Sequence, residues 1–491
     1  MKSIAPGILP AIAVDRADST PLYQQICDSY REAIVERRLR GGQRVPSTRT
    51  LAGELGISRT PVVNAFEQLL AEGYFESRTG SGTFVSSTLP LDAPRTGSTG
   101  QPDARKPGVR TIGKRSDALL RTEPEPWLGG LGAFRVSEPA LDHFPFPIWS
   151  RLVTRHSRGA RRGALHYGSS MGDLSLRQAL AASLRTARAV RCEAEQIMVV
   201  NGSQQAIGIA ARVLLDLNQT VWVEEPGYGG SRDALTMAGA RLVPVPVDDE
   251  GLDVSAGINM NRRVAAALVT PSHQYPLGAT MSASRRLQLL DWAQATGAWI
   301  IEDDYDSEFR YESQPVAALQ GLDRDARVVY VGTFSKVLFP ALRMGYMVIP
   351  GDLVDRFAAV REAMDIFPPA LNPAVLTDFI VEGHFARHLR RTSVLYRERR
   401  SVLVDALGAG LRPRLRVVGS EAGMHLVALC DRPSDRSIAH QAAREGLWVM
   451  PLSACYLGKP RQRGLVLGYG GTGVREMPLA VQRLRGVIAS V

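Results

Sequence analysis

Several short apolar runs, each ending at a cluster of polar or charged residues, constrain the fold of this chain more than any other feature. In chain order they read IMVV, TVWV, AALVT, AWIIEDD and RVVYVG, and helical stretches separate them. Uninterrupted apolar runs of this length are typical of strands buried on both faces, and their alternation with helices predicts a doubly wound parallel α/β sheet. Since the carboxyl ends of parallel strands meet at one edge, we expect functional side chains to gather there.

The segment TFSKVLFPALRMGY, residues 333–346, follows the last of these runs. Its lysine, Lys336, has the hydroxyls of Thr333 and Ser335 just before it and Arg343 after it. A lysine amine condenses with an aldehyde to a Schiff base, while hydroxyls and an arginine hold a phosphate dianion. Asp303, which follows the apolar residues AWII, can pair with a protonated pyridine nitrogen. These are the requirements of the cofactor pyridoxal 5′-phosphate (PLP).

Residues 20–87 carry a different pattern. Apolar residues at helical spacing in PLYQQICDSYREAIVERR predict a first helix that ends near Gly41 and Gly42. A short helix from Thr48 to Leu55 and a third helix from Ser58 to about Glu72 follow it. Ser58 is placed to cap the third helix. The stretch YFESRTGSGTFV then predicts a hairpin with a short, basic and glycine-rich tip.

The stretch VPSTRTLAGELGISRTPVVNAFEQLLAEGYFESRTGSGTFV resembles the winged helix-turn-helix of GntR-type regulators. The resemblance implies double-stranded DNA as the partner, with the third helix entering the major groove by its N-terminal end and the hairpin acting as the wing. The alternative is that the arginines are solvated surface charges. The predicted DNA-binding residues open the second and third helices or lie in the wing: Pro46, Ser47, Arg49, Ser58, Arg59, Thr60, Arg78, Gly80, Ser81, Gly82 and Thr83.

Residues 140–480 resemble a fold-type I aminotransferase, and TFSKVLFPALRMGY is the most specific match. With the N-terminal motif, the whole chain resembles the MocR/GabR subfamily of GntR regulators. The resemblance implies that Lys336 is the catalytic lysine that binds PLP covalently and that Arg343 is a phosphate ligand. It assigns the pyridine nitrogen to Asp303, with Asp304 as the alternative.

Three tyrosines and a histidine complete the cofactor contacts that the resemblance implies. Tyr305 is assigned to the phenolic oxygen of PLP, Tyr228 to stacking on the ring, and Tyr167 to the phosphate of the partner subunit. Tyr228 and Tyr167 can also be ordinary core residues. His273 is predicted as a cofactor contact because SHQYPLG replaces the turn in which aminotransferases present Asn before Pro. If Tyr167 reaches the partner subunit, the domain must dimerise, and the resemblance implies that the homodimer is domain-swapped.

The sequence NGSQQ lies between the run IMVV and a helix, so its amides and the Ser203 hydroxyl can cradle a phosphate beside Gln204. A plain helix cap is the alternative. His384 and His388 are one helical turn apart, but no third metal ligand is near them in sequence, so a helix surface is favoured over a metal site.

Near the C-terminus, LVLGYG departs from the aminotransferase pattern. Aminotransferases and the GABA-responsive regulators place an arginine that grips the substrate carboxylate where this chain has Val466. Losing that clamp removes roughly 1.5 to 3 kcal/mol of binding, unless Arg463 or another cation substitutes. We therefore expect a transcriptional regulator that binds PLP and DNA and senses PLP or a small amine. The alternative is an active aminotransferase with an appended DNA-binding domain.

The expected organisation of the 491 residues is a DNA-binding domain at 15–87, a flexible Pro-, Gly- and Ser-rich linker at 88–125, and an aminotransferase-like domain at 126–491. A net charge of +10 favours a polyanionic partner. The four cysteines are far apart and suggest neither disulfides nor zinc. No apolar stretch is long enough to span a membrane, and prolines interrupt the apolar N-terminus, so we expect a cytoplasmic protein.

Overall fold

The computed structural model describes residues 12, 14–87, 114–120, 125–158, 166–311, 316–411, 415–419, 421–430 and 434–491. The chain divides into two compact units, Met1–Arg110 and Thr111–Val491. Most of the predicted linker lies outside the described residues. Its part Lys114–Leu119 forms a 3₁₀ helix that contacts the helix Gly229–Ala238 of the C-terminal unit, and the flexibility of the linker stays a prediction.

The N-terminal unit packs three helices against one hairpin. The rings of Tyr30, Phe66 and Phe75 meet edge to face with centroids 5.1 to 5.8 Å apart, which joins the first helix, the third helix and the hairpin. This geometry has the helix order and hairpin that the sequence predicts. The elements are α1 (Leu22–Val35), α2 (Thr48–Glu54), α3 (Arg59–Ala71), β1 (Phe75–Arg78) and β2 (Gly82–Val85).

The turn between α2 and α3 differs in one detail from the prediction. Ser47 caps α2, because its hydroxyl accepts a hydrogen bond from the Thr50 amide at 3.1 Å. Ser58 occupies the N-cap position of α3 with extended backbone, but its side chain makes no capping hydrogen bond. The Ser58 hydroxyl is exposed at the start of α3 instead.

The C-terminal unit is built on an eight-stranded sheet with the order β3-β10-β9-β8-β7-β4-β5-β6. Strands β4, β7, β8 and β9 are parallel neighbours, as the apolar runs predict, and β5 pairs parallel with β4. Strand β10 lies antiparallel between β3 and β9. The sheet is therefore mixed and not wholly parallel. Its strands are β3 (Ile197–Val200), β4 (Thr220–Glu225), β5 (Arg241–Asp248), β6 (Gly251–Leu252), β7 (Ala266–Val269), β8 (Trp299–Asp304), β9 (Val328–Thr333) and β10 (Gly345–Val348).

Helices cover both faces of this sheet, which explains why its central strands are apolar throughout. On one face Ile301 of β8 packs with Ala206 and its neighbours, and on the other Ile300 packs with Leu289. Adjacent β8 residues thus point to opposite sides. The helices of the unit are α4 (Phe146–Arg158), α5 (Leu174–Arg188), α6 (Ser203–Leu214), α7 (Gly229–Ala238), α8 (Val254–Met260), α9 (Ala283–Thr296), α10 (Leu319–Leu322), α11 (Val354–Asp365), α12 (Leu371–Val381), α13 (His384–Leu411), α14 (Asp435–Arg444) and α15 (Met477–Ser490).

A second, antiparallel sheet follows α13. Its order is β11-β12-β14-β13, and α14 and α15 belong to the same part of the unit. The strands are β11 (Arg416–Val418), β12 (His425–Leu429), β13 (Met450–Pro451) and β14 (Gly464–Gly468). Within the described ranges, no helix is both long enough and apolar enough to cross a bilayer.

Candidate functional site

A cavity of about 130 Å³ opens at the carboxyl edge of the large sheet. Its walls come from the ends of β3, β4, β7, β8 and β9, the edge at which the sequence pattern places functional side chains. All the predicted cofactor residues except Tyr167 and His273 line it. The lining residues are Ser137, Gly202, Ser203, Gln204, Tyr228, Thr270, Tyr275, Asp303, Tyr305, Thr333, Ser335, Lys336, Pro340 and Arg343.

Strand alternation separates the two candidate aspartates at the end of β8. Asp303 lines the cavity. Asp304 points away from it, where Arg188 donates to its Oδ2 at 2.8 and 3.0 Å and the Tyr330 hydroxyl donates at 2.6 Å. Asp304 is thus committed to a buried ion pair, and Asp303 is the carboxylate that faces the cavity.

The Asp303 carboxylate is buried with little compensation. The Ser231 hydroxyl donates to Oδ2 at a long 3.4 Å, and Oδ1 has no hydrogen-bond partner among the described residues. Burial, reinforced by the neighbouring Asp304 charge, raises the pKa of Asp303 to about 7. A buried acceptor that lacks a donor on the wall of a cavity is suited to a ligand that brings a proton or a positive charge.

Replacing Asp303 should stabilise the protein in a pH-dependent way. Because the folded-state pKa lies above the usual value of 3.8, the folded chain holds a proton that the unfolded chain has lost between about pH 4 and pH 7. The ionised carboxylate therefore lowers the free energy of unfolding progressively over this range, and the loss reaches its full size above pH 7. In the protein without ligand, we expect Asp303→Asn to raise the melting temperature by a few degrees at pH 8 and by less at pH 5.

The matched control for this prediction is the adjacent Asp304→Asn. It weakens the ion pair with Arg188, so it should lower the melting temperature at both pH values. If Asp303→Asn raises the melting temperature equally at pH 5 and pH 8, ionisation of the Asp303 carboxylate does not destabilise the folded state, and the prediction is contradicted.

Lys336 lies just past β9 and is half-buried on the cavity wall. Burial lowers the pKa of its amine to about 8, and the carboxylates of Asp306 and Asp303 oppose that shift. About a tenth of the amine is therefore neutral at pH 7, far more than for an exposed lysine. The neutral amine is the form that attacks an aldehyde, so the environment of Lys336 suits a covalent attachment point.

The end of the cavity near α6 has the features of an anion site. Gly202, at φ +114°, is the N-cap residue of α6, so the first amides of this helix and the Ser203 hydroxyl face the cavity edge. The Arg343 guanidinium packs against Gly202, since a Cβ at that glycine would lie 3.4 Å from Nη2. Thr333 and Ser335 add two hydroxyls, whose oxygens are 3.2 Å apart. A helix N-terminus, hydroxyls and an arginine together suit a phosphate.

Two predicted cofactor residues do not lie on the cavity wall. Tyr167 is 80% exposed and makes an edge-to-face contact with Phe367, so its predicted role in a partner subunit stays a prediction. His273 is buried behind Tyr305, and its Nδ1 lies 2.9 Å from the Tyr305 hydroxyl. His273 thus reaches the cavity wall through Tyr305 in this structure, and its predicted direct contact with the cofactor stays a prediction.

Four lining residues were missed by sequence reasoning: Ser137, Thr270, Tyr275 and Pro340. Thr270 ends the run AALVT, so the rule that functional residues follow strand ends would have found it. Ser137 precedes α4 in a segment without periodicity, and nothing in the sequence places it near Lys336. Only the folded chain brings it to the cavity.

The structure also shows where two residues near the C-terminus lie: Val466, which stands where aminotransferases have a carboxylate-binding arginine, and Arg463, the nearest alternative cation in the sequence. Val466 of β14 is fully buried with Val427 and Leu452 in a small apolar cluster, and it does not line the cavity. Arg463 is exposed and does not line the cavity either. Neither residue is therefore placed to hold a ligand carboxylate there.

In the N-terminal unit, the predicted DNA-binding residues lie at the start of α2, the start of α3 and the hairpin tip. Arg49 and Arg59 are exposed, and the Arg59 Nε donates to the Thr48 hydroxyl at 3.1 Å. Arg78 is held against the Phe84 ring at 4.6 Å and by an ion pair with Glu76 at 2.6 Å. The arginines are thus exposed, and two of them have fixed orientations.

The helical histidines differ from the prediction of a helix surface. His384 is near Glu382, at 3.1 Å, whereas His388 is buried and contacts the Val337 carbonyl oxygen at 2.9 Å. Burial lowers the pKa of His388 to about 4, so this ring is a neutral core residue. Among the residues that the structure describes, no group of three or more His, Cys, Asp or Glu is placed to hold a metal.

Comparisons with known proteins agree with this division of the chain. Residues 22–85 match the family described as bacterial regulatory proteins, gntR family, and residues 135–466 match aminotransferase class I and II. The chain is 40% identical over 485 residues to the probable rhizopine catabolism regulatory protein MocR of Rhizobium meliloti. The aligned part covers 98% of this chain and 96% of that relative. These matches confirm the resemblance predicted from the sequence.

Two further comparisons add a second regulator and a solved enzyme. The HTH-type pyridoxine biosynthesis transcriptional regulator PdxR of Corynebacterium glutamicum is 33% identical over 463 residues, 94% of each chain. The alpha-aminoadipate aminotransferase of Thermus thermophilus, solved with N-(5′-phosphopyridoxyl)-L-leucine, superposes with a TM-score of 0.71 at 25% identity and covers 77% of this chain and 97% of that enzyme. The predicted fold-type I aminotransferase fold is confirmed.

Proposed function

Because the chain belongs to the MocR subfamily of GntR-type transcriptional regulators, we propose that its aminotransferase-like domain binds PLP and uses it to control DNA binding. The regulatory role follows from the family, which pairs the winged helix-turn-helix with this second domain in one chain. The proposal concerns the ligand and its effect: a cytoplasmic homodimer, domain-swapped as the family resemblance implies, senses PLP or a small amine and changes the placement of its two winged helices.

The residues of the cavity fit PLP. The unpartnered Asp303 Oδ1 would hold the protonated pyridine nitrogen, and the Ser203, Thr333, Ser335 and Arg343 side chains would hold the phosphate. Lys336 would attach to the aldehyde carbon. When bound, PLP supplies an electrophilic carbon that exchanges one amine for another and a ring that withdraws electrons.

The observation that favours a sensor over an enzyme is the set of cations on the cavity wall. Among the described lining residues, Lys336 and Arg343 are the cationic side chains, and both are assigned to the cofactor itself. Val466 is buried in a separate apolar cluster, so no further cation lines the cavity in this part of the described chain. Arg135 is near enough to lower the pKa of Lys336, but its guanidinium donates to the Trp127 carbonyl oxygen at 3.1 Å and does not line the cavity. A site that holds the cofactor well and an amino-acid substrate poorly suits a protein that detects PLP or an amine.

Two relatives support different signals within this proposal. The name of the Corynebacterium relative refers to pyridoxine biosynthesis, which favours PLP itself as the signal. The name of the Rhizobium relative refers to rhizopine catabolism, which favours a second small molecule. In either case the ligand shifts DNA binding only if it has different affinities for the two arrangements of the dimer.

The proposed function is tested by measuring the dissociation constant of the full-length protein for its own upstream DNA, with and without PLP. We expect PLP, or PLP with one amine of a panel, to change this constant by at least about fivefold, which is the lower end of ordinary allosteric coupling. Pyridoxal, which lacks the phosphate, is the matched control and should act only at much higher concentration. An unchanged constant under all conditions would contradict the proposal, and steady conversion of an amino donor with a keto acid would favour the enzyme alternative.

A further inference from the structure

A buried chain of three side chains ends at the cavity wall. Asp306, His273 and Tyr305 follow one another, and His273 and Asp306 are each almost fully buried. The His273 Nδ1 lies 2.9 and 3.1 Å from the two Asp306 carboxylate oxygens and 2.9 Å from the Tyr305 hydroxyl. Of the three, only Tyr305 lines the cavity.

These contacts decide where the protons lie. A carboxylate only accepts hydrogen bonds, so Nδ1 carries the proton and donates it toward Asp306 and the Tyr305 oxygen. Tyr305 then cannot donate to Nδ1, and its hydroxyl makes no other hydrogen bond among the described residues. The phenolic proton is therefore left to point into the cavity.

The surrounding groups hold this arrangement. Gly423, at φ +75°, packs directly on the pair, since a Cβ there would lie 2.2 Å from His273 Cε1 and 2.5 Å from Asp306 Oδ2. Behind His273, the His425 ring lies 5.3 Å away, and its Nε2 is 3.1 Å from the Pro276 carbonyl oxygen. Burial lowers the pKa of His425 to about 4, so it stays neutral beside the pair. Burial raises the pKa of the Tyr305 phenol, and the charges of Asp306, Asp303 and Glu224 add to that rise.

We propose that Asp306 and His273 are positioning residues for Tyr305, which they orient so that its phenolic proton is donated to the phenolic oxygen of the bound cofactor. The proposal rests on the proposed PLP binding. It gives His273 a function one residue removed from the ligand. It also explains why a histidine with no direct cavity contact is fully buried against a carboxylate.

The test is the pH midpoint of the visible absorbance change in the full-length, PLP-loaded protein. A hydrogen bond donated to the phenolic oxygen stabilises the deprotonated form of the cofactor site, so its loss should raise the midpoint, by about one pH unit for one hydrogen bond. We expect Tyr305→Phe and His273→Phe to show this rise. His273→Asn, whose amide can place an N–H near the Nδ1 position, should restore most of the wild-type midpoint.

A double variant separates positioning from general packing. In the Tyr305→Phe background, His273→Phe should shift the midpoint no further, because its effect passes through the phenol. Additive shifts, or an unchanged midpoint in His273→Phe, would overturn the proposal. If His273→Phe does not fold, the smaller His273→Leu, which also lacks an N–H donor, should raise the midpoint as well, and a normal midpoint there is equally contrary.

Failure of PLP binding itself gives a different result. If borohydride fixes no PLP on the wild-type protein, the proposed function fails before any variant is compared. If borohydride fixes PLP on Lys336 and the midpoints do not move, only the role of His273 and Asp306 fails.

Discussion

Lys336→Ala should abolish covalent PLP binding altogether. The amine of Lys336 shares the cavity wall with Asp303 and the phosphate-holding groups, and no other lysine lines the cavity among the described residues. Without this amine the aldehyde has no partner for a covalent bond. We expect the variant to show no visible absorbance band when PLP is added and dialysed, and no mass increase after borohydride reduction.

The same variant should also lose the response of DNA binding to PLP, while its affinity for DNA without PLP stays near that of the wild type. Lys459→Ala is the matched control, because Lys459 is exposed and does not line the cavity. It should keep the absorbance band, the mass increase and the response. A borohydride adduct that persists in Lys336→Ala would place the covalent bond elsewhere, and a full PLP response there would show that noncovalent binding is enough.

The position of the candidate site was predictable from sequence because strand ends converge. Asp303 and Lys336 follow apolar runs that had to be buried strands, and parallel strands bring their carboxyl ends to one edge. Strand alternation also decides between Asp303 and Asp304 once the face toward the cavity is known, since neighbouring residues point to opposite sides. The sequence alone left that choice open, because it does not show which face of β8 is covered by Arg188.

Other features depend on contacts between distant segments, and no local pattern signals them. Strand β10 begins within the lysine motif, and its sequence does not indicate in which direction it runs. Its antiparallel direction follows from its pairing with both β3 and β9. His273 was placed on the ligand because it belongs to a turn that usually contacts the cofactor. The fold places this histidine against Tyr305 and Asp306, and of these three residues only Tyr305 lines the cavity. Likewise, His388 has the spacing of an exposed helical residue but meets the Val337 carbonyl in the core.

In the N-terminal unit, the hydrogen bond between Arg59 and Thr48 makes a specific prediction about DNA recognition. Arg59 is the first residue of α3, and its Nε is occupied by the Thr48 hydroxyl at 3.1 Å. The two terminal nitrogens of the guanidinium are then left to donate as a fork, which is the arrangement that pairs with the O6 and N7 atoms of guanine. Arg59 should therefore read a base, whereas Arg49 at the start of α2 should contact a phosphate.

Arg59→Ala should weaken binding to the upstream DNA by at least about fivefold for each half-site, so by at least about 25-fold for a dimer that engages two, since a bidentate base contact contributes roughly 1 to 3 kcal/mol. It should also reduce the discrimination between this DNA and unrelated DNA. Arg38→Ala is the matched control: Arg38 is exposed in the same unit but pairs with Glu36 at 2.7 Å, away from the start of α3.

Affinities measured at several salt concentrations separate the two roles, because loss of a phosphate contact flattens the salt dependence and loss of a base contact leaves it nearly unchanged. If Arg59→Ala weakens binding to all DNA sequences equally and flattens the salt dependence, Arg59 contacts the DNA backbone. The Arg59 guanidinium that Thr48 holds would then not read the base sequence.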